Sequence, residues 1–367
     1  MTDPRLTALA ATLPASVPFT GPEALERRAG RPFAARLGAN ECGFGPSSRA
    51  IAAMREAADT AWKYPDPEAH DLRRAIAAHH GCDPAHIALG EGIDGLLGLI
   101  VRLTIAPGNV AVTSRGAYPT FAYHVTGHGG TLATVPYTAD HEDPDRLIAE
   151  TRRKGARLCY ISNPDNPMGT WHDAATVHDM VAAVPDHALL LLDEAYVDLA
   201  PNGTAADIDP ADPRVLRLRT FSKAHGLAGL RVGYAIGPAP IIAALDRVKN
   251  HFGVNRIAQA GALAALADRE YLHHIRALND ASMGRLVNIA RDNGLRPIPS
   301  ATNFVAMDCG GGGARAARIL AELGARGVFV RMPGAAPLDR CIRVSTGPDP
   351  EVDAFAAALP DALAAAR

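Results

Sequence analysis

Lysine is scarce in this chain, and that scarcity isolates one residue. The sequence has 37 basic side chains in 367 residues, of which four are lysines: Lys63, Lys154, Lys223 and Lys249. Lys154 ends the run Arg152-Arg153-Lys154 and Lys249 follows Arg247, both patterns of solvated helix faces, while Lys63 precedes a turn. Lys223 stands apart. It lies in Arg219-Thr-Phe-Ser-Lys-Ala-His-Gly-Leu-Ala-Gly-Leu-Arg231, after the apolar strand candidate Val215–Leu218. Gly226 and Gly229 keep this segment compact beside a bulky ligand, and Arg231 adds a fixed cation. An amine so placed is a potential nucleophile or proton carrier. The plain alternative is a surface loop with one lysine.

Three other loops carry chemistry of their own. Leu189-Leu-Leu-Leu-Asp193-Glu-Ala-Tyr196 is an apolar strand ending in an acid. Open α/β sheets bind ligands at that edge, and a desolvated carboxylate there seeks a cation, although a satisfied strand-end acid reads the same way. Gly90-Glu-Gly-Ile-Asp-Gly95 follows a strand candidate and opens a helix over Leu96–Leu103. Backbone N–H groups at such a junction cradle phosphate; a tight turn is the simpler reading. Ser162-Asn-Pro-Asp-Asn166-Pro-Met-Gly169 is crowded with turn formers, and Asn166 could aim its amide at a ligand.

The elements that position these loops read as α/β. Strand candidates are Ile87–Leu89, Val110–Thr113, Leu132–Val135, Leu158–Ser162, Leu189–Leu192, Val215–Leu218 and Val232–Ile236. Several are almost wholly apolar, as in strands buried on both faces, and after two helical stretches at Ser48–Ala61 and Ala69–His80 they alternate with further helical stretches. That alternation predicts a mainly parallel seven-stranded sheet. After Pro238, Ala- and Leu-rich helices run from Ile241 to about Asn293. Strand-like Asn303–Met307 and Cys341–Val344 follow, with a helix at Ala314–Arg326 between them, which predicts a smaller α+β C-terminal domain. Gly310–Gly313 reads as a flexible loop. The division is an N-terminal arm with part of the small domain over 1–47, a large domain over 48–255 and a small one over 256–367.

Composition narrows the function. A net charge of −2 disfavours a nucleic-acid partner. The five cysteines, Cys42, Cys82, Cys159, Cys309 and Cys341, form no Cys-x-x-Cys pair, so neither a disulfide framework nor a zinc ribbon is expected, and no metal. The longest aliphatic stretches fall far short of the roughly 20 apolar residues a spanning helix needs. The start, Met1-Thr-Asp-Pro-Arg5, is a poor signal peptide, and cytoplasmic residence is expected.

Because all four loops follow strands, they can gather along one sheet edge. A phosphate cradle, an acid, a lysine and an arginine together suit pyridoxal phosphate. Its aldehyde takes a lysine Schiff base, its pyridine nitrogen takes an acid and its phosphate takes backbone donors and a cation. Two readings of other classes stay open. An NADP-dependent oxidoreductase would use the Gly90–Gly95 loop, with Arg115 on the ribose phosphate. A catalytically silent binding module should have lost Lys223 or Asp193, and this chain keeps both.

Asn163-Pro-Asp-Asn-Pro-Met-Gly169, Asp193-Glu-Ala-Tyr196 and Ser222-Lys-Ala-His-Gly-Leu-Ala-Gly-Leu-Arg231 resemble fold-type-I aminotransferases, with histidinol-phosphate aminotransferase the nearest subgroup. Asn40-Glu41, Phe44-Gly-Pro46, Tyr64-Pro-Asp66, Tyr118-Pro-Thr-Phe121, Val254-Asn255 and Ile342-Arg-Val-Ser345 extend the likeness from about residue 19 to 347 in the family's order. The resemblance implies a ping-pong transfer between an amino donor and a 2-oxo acid, led by histidinol phosphate with 2-oxoglutarate; an aromatic amino donor is the alternative. A pyridoxal-phosphate lyase or decarboxylase would keep Lys223 and Asp193. It further implies that Lys223 forms the Schiff base and then moves the proton, and that Asp193 pairs with the pyridinium. Asn166 and Tyr196 would bond the ring hydroxyl, and Phe121 would stack on the ring, unless it is a core aromatic. Gly92, Ile93, Asp94, Ser222 and Arg231 would surround the phosphate. Tyr64 would reach it from a neighbouring subunit of a homodimer with shared active sites, unless it is a core or turn residue. Arg343 would grip the substrate's anion, with Arg331 as a second contact or else a surface residue, and Asn40 would belong to the substrate site.

Three departures bear on this pattern. Ile93 stands where the family commonly has serine and Gly95 where it has glutamate, which removes a hydroxyl donor from the phosphate loop. Cys42-Gly43 follows Asn40-Glu41, and His251-Phe-Gly253 replaces the frequent Pro-Phe-Asn. The last two fall where the resemblance places substrate contacts.

Overall fold

The computed structural model describes residues 5–13 and 20–367. Residues 1–4, part of the start read above for a leader, and 14–19, where the family likeness begins, lie outside the described residues. The strands in chain order are β1 (Ala35–Arg36), β2 (Ile87–Gly90), β3 (Val110–Ser114), β4 (Thr131–Val135), β5 (Leu158–Ser162), β6 (Leu189–Asp193), β7 (Val215–Thr220), β8 (Gly233–Ile236), β9 (Arg296–Pro297), β10 (Phe304–Asp308), β11 (Val328–Phe329) and β12 (Cys341–Ser345). Seven of them form one sheet in the order β2-β8-β7-β6-β5-β3-β4. Neighbours pair in parallel from β7 through β4, and β8 runs antiparallel to both β2 and β7.

The apolar runs explain the layers. Every residue of β5, β6 and β7 is buried. Alternate side chains of these strands feed two cores. Leu191, Leu216 and Leu218 pack with Leu96, Leu97 and Ile100 of the helix Gly92–Thr104. Leu190, Leu192 and Ile161 pack with Leu147, Ile148, Val177 and Met180 on the other face. Each such buried aliphatic side chain contributes about 1.5–3 kcal/mol. The helix Arg256–Ala267 packs on Ser48–Ala58 and joins the core beside Ile87 and Ile236, so this packing continues past residue 255.

Register sets the functional edge. Ser162 stands opposite Asp193, Asp193 opposite Leu218, and Gly233 opposite both Thr220 and Gly90. The ends of β5 and β6 are therefore level, β7 runs two residues further to end level with β2, and the loops that follow them share one edge.

The topology rules out the NADP reading. In a dinucleotide fold the glycine-loop strand pairs in parallel within its βαβ unit. Here β2 is an edge strand whose partner is the antiparallel β8, and four strands separate it from β3, after which Arg115 follows.

The remaining strands form two small sheets, β12-β10-β9 and β1-β11. β1 runs parallel to β11, which brings Ala35 and Leu37 into a core with Val305, Met307, Ile319, Val344 and Phe355. The glycine run is shorter as a loop than expected, because Gly312 opens the helix Gly312–Ala325. Among the described residues, no helix is long and apolar enough to cross a membrane.

Candidate active site

A cavity of about 320 Å³ opens over these strand ends. Asp193, the last residue of β6, is 4% exposed and lines it. One carboxylate oxygen, Oδ2, accepts from the Tyr160 hydroxyl at 2.7 Å, and Oδ1 accepts from the Ala195 N–H at 2.9 Å. Burial nevertheless lifts its pKa to about 6. A carboxylate held there gains most from a cationic partner, since desolvation is what opposes its charge.

Lys223 follows β7 and turns into the same cavity. Its Nζ donates to the Asn40 carbonyl at 3.0 Å and lies 5.6 Å from the centre of the Tyr196 ring. Desolvation lowers its pKa to about 8, and the cations Arg343 and Arg231 push the same way. A neutral, nucleophilic amine is thus accessible at mildly alkaline pH.

The anion cradle is built by close backbone approach. The helix Gly92–Thr104 begins beside the cavity, so its first N–H groups have no intrahelical partner. Gly92 has φ +73°, and a Cβ there would strike the Arg231 guanidinium. Gly233 supports it from β8, where a Cβ would sit 2.8 Å from the Gly92 carbonyl carbon and 2.9 Å from the Ile93 nitrogen. Arg231 Nη1 donates to the Ala228 carbonyl at 2.9 Å and to Ser222 Oγ at 3.4 Å, and Nη2 is 3.8 Å from Asp94 Oδ2. The Tyr118 hydroxyl donates to Asp94 Oδ1 at 2.9 Å.

Two non-glycine residues at this cavity, Asn40 and Arg231, have φ of +54° and +56°. Such conformations cost on the order of 1 kcal/mol or more and persist where surroundings over-determine them. For Asn40 the surroundings are explicit. Its N–H donates to Ser345 Oγ at 3.0 Å, its Oδ1 accepts from that hydroxyl at 3.0 Å, and its Nδ2 donates to Tyr196 Oη at 3.0 Å.

The opposite wall is cationic. Arg343 of β12 lies over Phe304 at 5.1 Å and donates through Nη1 to Asn166 Oδ1. Its Nε is buried with no partner, and burial presses its pKa down. Asn166 Nδ2 also reaches Tyr196 Oη at 3.4 Å. Arg331 pairs with Arg343 through the main chain and donates from Nη2 to the Thr20 carbonyl at 3.0 Å. Beyond these arginines lies a second cavity of about 730 Å³, walled by Leu25, Phe33, Leu132, Leu320, Phe329 and Met332 among others.

The residues fit pyridoxal phosphate: a buried amine, a buried carboxylate short of a cation, a glycine-built anion cradle and an orphaned guanidinium N–H share one cavity. A family model for aminotransferase class I and II matches residues 35–359. The chain belongs to the class I and II aminotransferases. Histidinol-phosphate aminotransferase 2 of Pseudomonas fluorescens is 38% identical over 337 residues, covering 90% of this chain and 89% of its own. Histidinol-phosphate aminotransferase 1 of Mesorhizobium japonicum is 37% identical, covering 90% of each. The crystal structure of histidinol-phosphate aminotransferase from Sinorhizobium meliloti, in complex with pyridoxal-5'-phosphate, superposes with a TM-score of 0.96 at 52% identity, covering 99% of this chain and 98% of that one.

In this aminotransferase the structure brings Asn40, Ile93, Asp94, Asn166, Asp193, Tyr196, Ser222, Lys223, Arg231, Arg331 and Arg343 to one cavity, with Gly92 at the adjoining helix start. Phe121 is a correction. It is 0% exposed, packed in the core with its ring stacked on Tyr160 at 4.9 Å, and does not line the cavity. Tyr118, Tyr160 and Tyr196 supply the aromatic surface instead. Phe121 lies three residues after Tyr118, at the start of the helix Pro119–Gly127, and spacing alone does not say which of the two faces inward. Tyr64 does not line this cavity; it is 76% exposed and stacked on Phe252 at 4.5 Å.

Sequence reasoning missed Tyr160 and Thr220. Both sit inside or at the end of buried strands, where a hydroxyl is masked by its apolar neighbours. The signal for Tyr160 was its place on β5, two residues before Ser162, which pairs with Asp193.

Proposed function

We propose that this aminotransferase uses pyridoxal 5'-phosphate to transfer the amino group of histidinol phosphate to 2-oxoglutarate. The observation that carries the reading is 52% identity over nearly the whole chain to the Sinorhizobium enzyme solved with that cofactor. When bound, the cofactor supplies an electron sink that makes the donor's α-proton removable.

The chain's residues divide the rest of the work. Asp193 would hold the ring nitrogen, and Tyr196 with Asn166 the ring hydroxyl. Gly92, Ile93, Asp94, Ser222 and Arg231 would surround the phosphate. Lys223 would hold the cofactor before substrate arrives; its Nζ would take the proton from the donor's α-carbon in the first half-reaction and supply one to the acceptor's α-carbon in the second. Arg343 binds the substrate anion bidentately, and Arg331 stands beside it. Tyr64 is assigned to a neighbouring subunit's phosphate, which makes the working unit a homodimer; cytoplasmic residence belongs to the same reading.

A second reading, an aromatic amino donor, is favoured by the larger cavity, whose wall of Phe33, Phe329, Leu132 and Leu320 suits a ring. Turnover of an amino-donor panel with 2-oxoglutarate decides between them. Histidinol phosphate should give the highest kcat/KM; brisk phenylalanine turnover with no reaction of histidinol phosphate would reverse the assignment. Borohydride reduction and peptide mapping should place the cofactor on Lys223.

A further inference from the structure

Two carboxyl groups outside the chemistry above meet at Ser162. Glu142 and Asp165 are each 2% exposed. The Ser162 N–H donates to Glu142 Oε1 at 2.9 Å; its hydroxyl lies 3.2 Å from that oxygen and 3.5 Å from Asp165 Oδ1. Asp165 Oδ1 accepts from the Tyr137 hydroxyl at 2.9 Å and Oδ2 from the Met168 N–H at 2.8 Å. Its main chain closes the same loop, from Asp165 N to the Thr170 carbonyl at 2.8 Å and from Gly169 N to the Asp165 carbonyl at 3.1 Å. The Asn166 N–H donates to Ser162 Oγ at 3.3 Å. The loop that presents Asn166 is therefore hung on this pair of acids.

The donors are shared unequally. Both oxygens of Asp165 receive donors, which suits an anion. Oε1 of Glu142 takes the Ser162 donors; Oε2 is buried with no partner at hydrogen-bond distance, and the Ser114 hydroxyl and the Asp165 side chain both face Glu142, the hydroxyl favouring its charged form. The surroundings supply little positive charge. Arg343, bonded to the neighbouring Asn166, is a cation facing Asp165. Tyr137, Tyr160 and Tyr196 present neutral hydroxyls, His172 Nε2 lies 2.8 Å from the Glu142 carbonyl, and Ser114 and Cys159 adjoin Glu142. Two carboxylates so close in a buried site do not both ionise. Burial pushes both up, Asp165 to about 7 and Glu142 well above the usual carboxylate range.

We propose that Glu142 and Asp165 hold one proton between them, borne by Glu142 and donated to Asp165, and that this pair positions Asn166. Asn166 in turn touches both Tyr196 and Arg343, so the pair acts on the cofactor side and the substrate side of the site at once. Glu142 and Asp165 are positioning residues.

Infrared spectroscopy of the purified protein tests the proton directly and needs neither substrate nor cofactor, so it stands apart from the functional reading. The C=O band of a buried protonated carboxyl should be present in the native protein and lost in Glu142→Gln. An unchanged band in that variant overturns the proton assignment. Positioning is tested by the cofactor dissociation constant and by the pH midpoint of the bound cofactor's visible absorption. Glu142→Gln keeps an N–H donor toward Asp165 and should stay close to native in both. Glu142→Leu leaves the buried anion one donor short and should weaken cofactor binding on the order of tenfold. Equal damage from Gln and Leu, or none from Leu, overturns the positioning role.

Discussion

Tyr160→Phe removes one oxygen atom and tests whether the donor on Asp193 sets its proton affinity. The ring keeps its place, because it is stacked on Phe121 in the core. What is lost is the 2.7 Å hydrogen bond to Asp193 Oδ2, a donor that favours the charged carboxylate. A hydrogen bond to a buried charge is worth about 1.5–3 kcal/mol, which at about 1.4 kcal/mol per pH unit raises the Asp193 midpoint by about 1 to 2 pH units. The starting value is about 6, so the variant should titrate near 7 to 8. Only the ionised form pairs with a ring cation, so affinity falls as pH drops below the midpoint. At pH 6 the native protein loses about twofold in apparent affinity and the variant about 10- to 100-fold, a ratio of about 5 to 50. Near pH 8.5 the ratio should fall below about 1.5. Equilibrium cofactor titration of both proteins across this range measures the ratio, in which the titration of Lys223 cancels. A ratio that stays flat with pH would refute the assignment of the Tyr160 hydroxyl as the group that tunes Asp193.

Lys223 titrates near 8, and its neutral amine is the reactive form, so the rate of cofactor attachment to apoprotein should rise through pH 8 and level off above it; a midpoint near 10.5, the ordinary lysine value, would contradict the burial argument. Arg343→Lys keeps the charge but not the planar fork, and should lower kcat/KM for the acceptor about 10- to 100-fold, chiefly through KM, in steady-state assays. Gly233→Ala drives a methyl group against the Gly92 and Ile93 backbone and should cost about 1–3 kcal/mol, read as a lowered melting temperature together with weaker cofactor binding. Glu194 makes buried ion pairs with Arg217 at 3.1 Å and Arg219 at 2.9 Å, so Glu194→Ala strands Arg217, leaves Arg219 with Asp198 at 3.4 Å, and should cost about 3–5 kcal/mol in urea unfolding.

The sheet was legible because its strands carry a simple signal. A run such as Leu189–Leu192 can only be buried on both faces, and the polar residues that end such runs had to lie at one edge. Lys223 was legible by elimination among four lysines, and Asp193 by its place after that run. What sequence did not convey were relations between distant segments. Nothing in Ala35–Arg36 announces a partner at Val328–Phe329. Tyr118 and Phe121 share one helical turn, and packing against Tyr160 decides which of them faces inward. Glu142 carries no local mark of burial; its surroundings come from Ser162 and Asp165, about 20 residues on in the chain. Glu194 reads as half of an Asp-Glu pair, yet its neighbours Arg217 and Arg219 assign it to structure and leave Asp193 to the cavity.

The short parallel pairing of β1 with β11 has a bearing on synthesis. The wall holding Asp193 and Lys223 is encoded in the middle of the chain, whereas the wall holding Asn40, Arg331 and Arg343 is stitched from both ends. A ribosome therefore delivers the wall with Asp193 and Lys223 first. The opposite wall closes only when β12 emerges and Ser345 meets Asn40, a residue made some three hundred codons earlier.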